Sequence, residues 1–509
     1  MTELAGRDED AWSEEFDVVV LGGGNAGFCA AHAAREREAS VLVLEKCPPQ
    51  EAGGNTFYTA GAFRFAHRGL DDLRPLLEQR SGRRLADTVV PPYTEQDFLA
   101  DMYRVTDGRC DDLLARLLVD QSADTVRWLA RKGLRWRLMY ERQSYLSGGK
   151  WTFFGGLAMG TVDGGKGLIA QHTAAARDSG VTVRYDAVLT GLRRGRTGQI
   201  TGITYRDSTG RERNVAASAV VLAAGGFEAD PIRRARYLGE DWARAIVRGS
   251  PSNTGECLDL AIANGAAPYG DWESCHSVAW DAGAAPNGGN RELTNQLTRQ
   301  SYPVGIVVNT RGERFLDEGA DYRNYTYAKY GREILAQPGN IAFQLFDAKT
   351  RLLLRTEEYD SHPITGAQAD TLEELAVALN IDAAGLRDTV AAFNAAIVDT
   401  PFDPAVKDGR AAWVLPPKSN WAQPLDTPPY YGYSVACGIT FTFGGIRVDD
   451  HAQVLDTNSL PIPGFYAAGE IVGGLFSGNY PGGSGLTAGA VFGRLAGTHA
   501  ATHSEDPLD

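Results

Sequence analysis

Cysteine is scarce in this sequence and nowhere clustered. The six thiols, at Cys29, Cys47, Cys110, Cys257, Cys275 and Cys437, include no CxxC pair. Structural zinc, c-type haem and a Cys-ligated iron–sulfur cluster are therefore left without ligands, and no bound metal is expected. Such sparse usage fits a reducing compartment, so a cytoplasmic setting is expected. Cationic excess is missing too: 50 Lys and Arg against 64 Asp and Glu give a net charge of −14, and proteins that bind nucleic acid normally show a basic face. A small anionic substrate stays open, because a few buried Arg bind an anion inside an acidic protein. No run of about 20 apolar residues occurs, so no transmembrane helix is expected. The opening residues, MTELAGRDEDAWSEE, are acidic and polar, the wrong chemistry for a signal peptide. Hydrophobic residues at 43% and charged residues at 22% exclude disorder, a collagen-like chain and a disulfide scaffold.

Glycine is abundant instead, with 59 residues in a chain of 509, long enough for two or three domains. The glycines gather in a few clusters rather than a repeat. Residues 16–21, Phe-Asp-Val-Val-Val-Leu, read as a buried strand. Gly22-Gly-Gly24-Asn25-Ala26-Gly27 follows at once, then an Ala-rich helical stretch, and residues 40–45 form a second buried strand ending in Glu45. Strand, glycine turn, helix and strand make a βαβ unit. The Gly22-x-Gly24-x-x-Gly27 spacing lets backbone N–H groups approach a pyrophosphate at the helix N-terminus, and the acid accepts ribose hydroxyls. NAD and FAD both use this device.

Further along, residues 70–150 carry charge at helical spacing, notably 111–132. A helix is predicted near 166–179, and strands at 181–185, 200–205 and 220–224. From about 270 the composition turns to Trp, Tyr, Arg and Pro with irregular periodicity. Three segments are thus expected: 1–270, a nucleotide-binding domain that includes the helical region 70–150; 271–428, an inserted capping and substrate domain; and 429–509, the return of the first domain. The expected fold is α/β, a Rossmann-like FAD-binding domain of the glutathione-reductase type with an α+β second domain.

Several motifs separate FAD from NAD. Gly53-Gly54-Asn55-Thr56 is a second glycine turn; Val-Val-Leu-Ala-Ala-Gly-Gly runs over 220–226; Pro-Gly-Phe-Tyr-Ala-Ala-Gly-Glu ends at Glu470; and Asn479-Tyr480-Pro-Gly-Gly-Ser484-Gly485-Leu486-Thr487 opens a C-terminal helix over 488–496. In these residues the sequence resembles the FAD-containing fumarate reductase and succinate dehydrogenase flavoproteins, and within them the tricarballylate dehydrogenase-like oxidoreductases. The resemblance implies that Gly22, Gly24, Asn25, Ala26 and Gly27 hold the pyrophosphate and Glu45 and Lys46 flank the adenosine ribose. It places Gly53, Gly54, Asn55 and Thr56 along the phosphates and flavin, Ala224 and Gly225 on the adenine side, and Glu470 at the ribityl chain. Ser484, Gly485, Leu486 and Thr487 would face the pyrimidine end of the ring, where a helix N-terminus stabilises a reduced, anionic flavin; Ser484 reads equally as an ordinary N-cap. Some relatives attach FAD covalently through a His near the second glycine turn. None lies between Gly53 and Phe65, so non-covalent FAD is expected.

The same resemblance suggests catalytic groups. In fumarate reductases an Arg just after an RF-x-x-E segment handles the proton. Here Arg314-Phe-Leu-Asp-Glu318 precedes Arg323 and Tyr325, with Arg323 the nearest counterpart, offset by about one residue; Tyr322, Tyr325 and Tyr327 are alternative proton carriers, and a structural Arg323 is the plain reading. His276 matches a His that binds a substrate carboxylate. Thr298 and Arg299 stand where the group contacts substrate, and Arg299 would make a bidentate clamp. Thr440 replaces a His, and Tyr480-Pro481 replaces a substrate-binding Arg, which weakens the case for plain fumarate or succinate. Tyr480-Pro-Gly also resembles 3-oxosteroid Δ1-dehydrogenases, where the Tyr donates to a ketone oxygen; a packed aromatic is the bland reading. The expectation is an FAD-dependent dehydrogenase that desaturates a C–C bond beside a carboxylate, on a tricarballylate-like polycarboxylate. Alternatives are a cyclic-ketone or 3-oxosteroid dehydrogenase, an enoate reductase, and a flavin carrier without turnover. Reoxidation would fall to a separate acceptor: a quinone, a redox protein or oxygen.

Overall fold

The computed structural model describes residues 12–360 and 364–503; residues 1–11 of the acidic lead lie outside them. A twisted sheet forms the base of the molecule. Its parallel centre is built from Thr182–Arg184, Val41–Leu44, Glu14–Leu21 and Glu212–Leu222, with Pro461–Ala467 paired in parallel to the end of the last. Val18 to Leu21 and Val41 to Leu44 are buried on both faces, as unbroken apolar runs in a parallel sheet must be. An antiparallel pair, Val188–Arg194 and Ile200–Arg206, extends one edge.

Two helices lie against this sheet, and small residues set how close they come. In Ser484–His503, Gly489, Gly493 and Gly497 recur every four residues and so share a face. That face meets Ala26 and Ala30 of the Asn25–Arg35 helix. A Cβ on Gly493 would stand 2.4 Å from the Ala26 carbonyl oxygen, and one on Gly497 only 2.0 Å from that of Ala30. The contact fixes both helix N-termini at the carboxyl ends of the central strands, where open α/β sheets bind ligands.

A second, six-stranded sheet is organised by one long strand, Tyr430–Thr442, which pairs with Ile246–Val247, Cys275–Asp281, Ile341–Phe346 and Gly366–Ala369. Its strands span 246–442, wider at both ends than the 271–428 segment marked by composition. Nine of the 13 positions of the Tyr430–Thr442 strand are buried, so its composition reads like that of the core beside it. The helical region includes Asp112–Arg131, N-capped by the Asp111 side chain on Leu114 N–H. Among the described residues no helix is long and apolar enough to cross a membrane.

Candidate active site

One cavity runs between the two sheets, and residues from the start, middle and end of the chain line it. Its nucleotide half contains Gly22, Gly24, Asn25, Ala26, Glu45, Lys46, Gly54, Asn55, Thr56, Ala224, Gly225, Glu470, Gly485 and Leu486. The glycine turn leaves no room for side chains. Gly22 has φ +112°, and a Cβ there would sit 2.3 Å from the Ala223 carbonyl oxygen. Gly27 is not on the lining; a Cβ on it would come within 1.9 Å of the Gly22 oxygen, so it closes the turn from behind. Gly24 begins the Asn25–Arg35 helix without a side-chain cap. Thr56 Oγ1 accepts the Asn25 N–H at 3.1 Å, and the next N–H groups remain for an anion. Glu45 accepts Gly23 N–H at 3.0 Å through one oxygen and Cys47 N–H at 2.9 Å through the other, keeping a second lone pair on each for a ribose diol.

Other cofactor-site expectations change in detail. Gly53, Ser484 and Thr487 do not line the cavity. Ser484 donates to the Pro481 carbonyl at 2.5 Å and Thr487 to that of Gly483, so neither hydroxyl caps the helix or faces outward. Backbone groups at Gly482, Gly483, Gly485 and Leu486 form that wall instead. Asn55 ties the two sheets together: its amide donates to Glu228 at 2.6 Å and to the Thr440 carbonyl at 2.7 Å, and accepts Ser250 N–H. Glu228 is buried and the half-buried Glu470 lies beside it. Burial and the neighbouring Glu228 push the Glu470 carboxyl well above its ordinary value, as two carboxyls in contact do.

The opposite half is cationic and aromatic. Arg142, Arg248, Arg323, Gln300, Asn295, His276, Tyr327, Tyr480, Phe441 and Thr440 line it. Arg323 donates to Gln300 Oε1 at 3.2 Å and to the Arg142 carbonyl oxygen, while its Nε is buried without a partner. Arg355 donates to the same two acceptors. Arg355 and Arg142 both pair with Glu358 at 3.0 Å; burial pushes that carboxyl up, but the two Arg hold it below the usual carboxylate value. Arg323 thus stands beside the ion-paired Arg142, Arg355, Glu357 and Glu358 group and, among the described residues, has no carboxylate partner of its own.

His276 lies in an aromatic box, 4.8 Å from the Tyr480 ring centroid and 5.1 Å from those of Tyr327 and Phe441. Burial, with the Arg248 charge, drives its pKa well below the normal histidine value, so it is neutral and offers one N–H rather than a positive charge. Tyr480 and Tyr327 share a short hydroxyl–hydroxyl hydrogen bond. Burial and Tyr327 push the Tyr480 hydroxyl well up, which keeps it a donor.

Three expected site residues lie elsewhere. Arg299 is wholly buried off the cavity; it pairs with Asp281 at 2.7 Å and donates to the carbonyls of Gln296, Thr298 and Glu358. With both terminal nitrogens engaged by protein groups and no place on the cavity lining, Arg299 is no substrate clamp. Thr298 donates to the Asn295 carbonyl. Tyr325 sits behind the wall, donating to Asp101 at 2.5 Å and accepting from Arg64 at 3.1 Å. Arg142, Arg248, Asn295 and Gln300 carry no local motif and escaped the sequence reading.

These features match known proteins along nearly the whole chain. The family described as FAD binding domain matches residues 17–486. The chain belongs to this family. It is 30% identical to a probable fumarate reductase, Ifc3, of Shewanella frigidimarina, over 97% of this chain and 76% of that protein. It is 28% identical to a 4-oxocyclohexanecarboxylate 2-dehydrogenase of Sinomonas cyclohexanicum, over 95% and 92%. The open conformation of a flavocytochrome c3 fumarate reductase superposes with a TM-score of 0.73 at 26% identity, covering 97% of this chain and 80% of that one. The chain is thus an FAD-dependent oxidoreductase with the expected α/β flavoprotein fold, and its named relatives are reductases and dehydrogenases of carbon–carbon bonds. The glycine turn, the free N–H groups of the first helix and Glu45 fit the cofactor's pyrophosphate and ribose; the Gly482–Leu486 backbone fits its pyrimidine edge.

His67, the nearest His to the second glycine turn, accepts Gly69 N–H and does not line the cavity. Acid precipitation of purified holoprotein is therefore expected to leave a yellow supernatant and a colourless pellet; colour retained in the pellet marks a covalent link.

Proposed function

We propose that this enzyme desaturates a C–C bond beside a carboxylate, with a tricarballylate-like polycarboxylate as substrate. The observation that carries this reading is the grouping of Arg142, Arg248 and Arg323 on one half of a cavity whose other half is built for FAD. When bound, FAD supplies a hydride acceptor at N5. The protein's own residues do the rest. Arg323 and Arg142 lie where the carboxylate next to the reacting carbons would be held, and Arg323, in its neutral guanidine form, takes the neighbouring proton. Tyr480 donates to the oxygen on which enolate charge develops, with Tyr327 fixing its hydroxyl. His276 and Phe441 keep water from the reacting carbons.

The test is anaerobic mixing of holoenzyme with a panel of polycarboxylates and cyclic ketones. Bleaching of the flavin absorbance by a polycarboxylate supports the proposal; bleaching by ketones alone overturns it. A cyclic-ketone dehydrogenase is the second reading, favoured by the Tyr480–Tyr327 hydroxyl pair and by its aromatic surroundings. Tyr480→Phe is expected to lower the rate of flavin reduction by roughly 10²-fold, the scale of one lost oxyanion donor, with unchanged flavin content. A loss under threefold removes Tyr480 from the chemistry. Six free cysteines support a reducing, cytoplasmic setting, and reoxidation by a separate quinone, redox protein or oxygen completes the cycle.

A further inference from the structure

Arg248, like Arg323, is a cavity cation held by neutral partners alone. It is 9% exposed, and among the described residues no carboxylate pairs with it. One terminal nitrogen donates to Thr440 Oγ1 at 2.9 Å and the other to Asn295 Oδ1. Its Nε is buried without a partner, and two further N–H groups remain on the terminal nitrogens. By contrast, Arg142 is neutralised by Glu357 and Glu358. A buried guanidinium without a counter-ion is costly unless a ligand completes it. The neutral neighbours Thr440 and Asn295 orient the group without cancelling its charge.

Its position is as informative as its charge. Thr440 lies in the Tyr430–Thr442 strand and its carbonyl accepts from the Asn55 amide, so Arg248 is anchored where the nucleotide loop meets the second sheet. Its backbone N–H donates to the Ile439 carbonyl at 2.8 Å on the same strand. Arg323, Gln300 and Arg142 form a separate cationic group carried by other segments, and the His276–Tyr327–Tyr480 box lines the same cavity.

We infer that Arg248, oriented by Asn295 and Thr440, binds a second carboxylate of the substrate, separate from the one held by Arg323 and Arg142, and so selects di- and tricarboxylates over monocarboxylates and neutral ketones. The inference rests on the carboxylate reading above and deepens it.

The test is ligand titration of oxidised holoenzyme, read by perturbation of the flavin spectrum, with tricarballylate, succinate and succinamate, which replaces one carboxylate of succinate by an amide. Wild type is expected to bind succinate roughly 100-fold more tightly than succinamate, the range of a charge-assisted contact. Arg248→Gln is expected to weaken tricarballylate and succinate by about that factor while moving succinamate by less than threefold. Arg248→Lys, which keeps the charge but not the fork, is expected to fall between them, and carries the test should the Gln variant lose its flavin. Equal weakening of succinate and succinamate by Arg248→Gln, or no preference in wild type, overturns the inference. Turnover is scored separately. Discrimination that depends on Arg248 without flavin bleaching by any polycarboxylate would sink the proposed reaction but not this binding site; bleaching with discrimination untouched by Arg248→Gln would sink this site alone.

Discussion

Arg323→Gln is expected to lower the rate of flavin reduction by roughly 10²–10⁴-fold, the span attributed to a positioned proton-transfer group, while flavin content and thermal midpoint stay near wild type. The second half of that expectation makes the experiment decisive. Among the described residues Arg323 hydrogen-bonds to Gln300 Oε1 and the Arg142 carbonyl, and Arg355 donates to both already. Removing Arg323 strands no buried acceptor, and it removes a buried Nε that had no partner. A structural Arg323 would therefore show itself as lost stability with modest kinetic change. Arg323→Lys adds a further readout: an amine titrates below a guanidinium, so the rising limb of the pH–rate profile is expected to move to lower pH. A variant that turns over at the wild-type rate with full flavin removes Arg323 from proton transfer and leaves Tyr327 as the remaining tyrosine of the 322–327 segment placed beside Tyr480.

The nucleotide half of this site is legible in sequence because its physics is local. A strand, a turn that only glycine fits, an uncapped helix N-terminus and an acid at the next strand end are consecutive, and each leaves a mark on the chain. The Gly489, Gly493 and Gly497 spacing likewise reports a helix contact through a period of four. The second sheet leaves no such mark. The Tyr430–Thr442 strand contains two glycines and mixed polar residues, and it is held by pairing with segments up to about 190 residues away, such as Ile246 with Gly438. Tertiary pairing there overrides weak propensity. The cationic half fails to show for the same reason. Arg248 lies in a stretch without periodicity or motif, and only the folded chain reveals that it has neutral partners and a cavity in front of it. His276 was visible as a residue but not as a neutral one, because its aromatic box is assembled from three distant segments.

Arg299 is the case in which local reading and folded structure disagree most, and it yields the second large effect. Arg299→Ala is expected to destabilise the protein by about 3–5 kcal/mol, the scale of leaving one partner of a buried ion pair uncompensated. Asp281 and Arg299 are both fully buried. Asp281 keeps three other donors, Gly283 N–H and the Thr365 N–H and hydroxyl, but no cation. The carbonyls of Gln296, Thr298 and Glu358 lose a shared donor at the same time. Those contacts join the Cys275–Asp281 strand to the segment that carries Gln300, one of the two acceptors of Arg323, so the damage reaches the site by loosening its wall rather than by removing a ligand. Urea unfolding of the holoprotein measures the loss, and binding of tricarballylate to the folded fraction supplies the contrast. A substrate clamp would leave the unfolding midpoint in place and weaken binding by orders of magnitude; a buried strut lowers the midpoint and shifts the affinity of the surviving folded protein only a few fold. Arg299→Lys, able to reach Asp281 but not to bridge the three carbonyls, is expected to recover part of the stability, which separates the charge pair from the fork of hydrogen bonds.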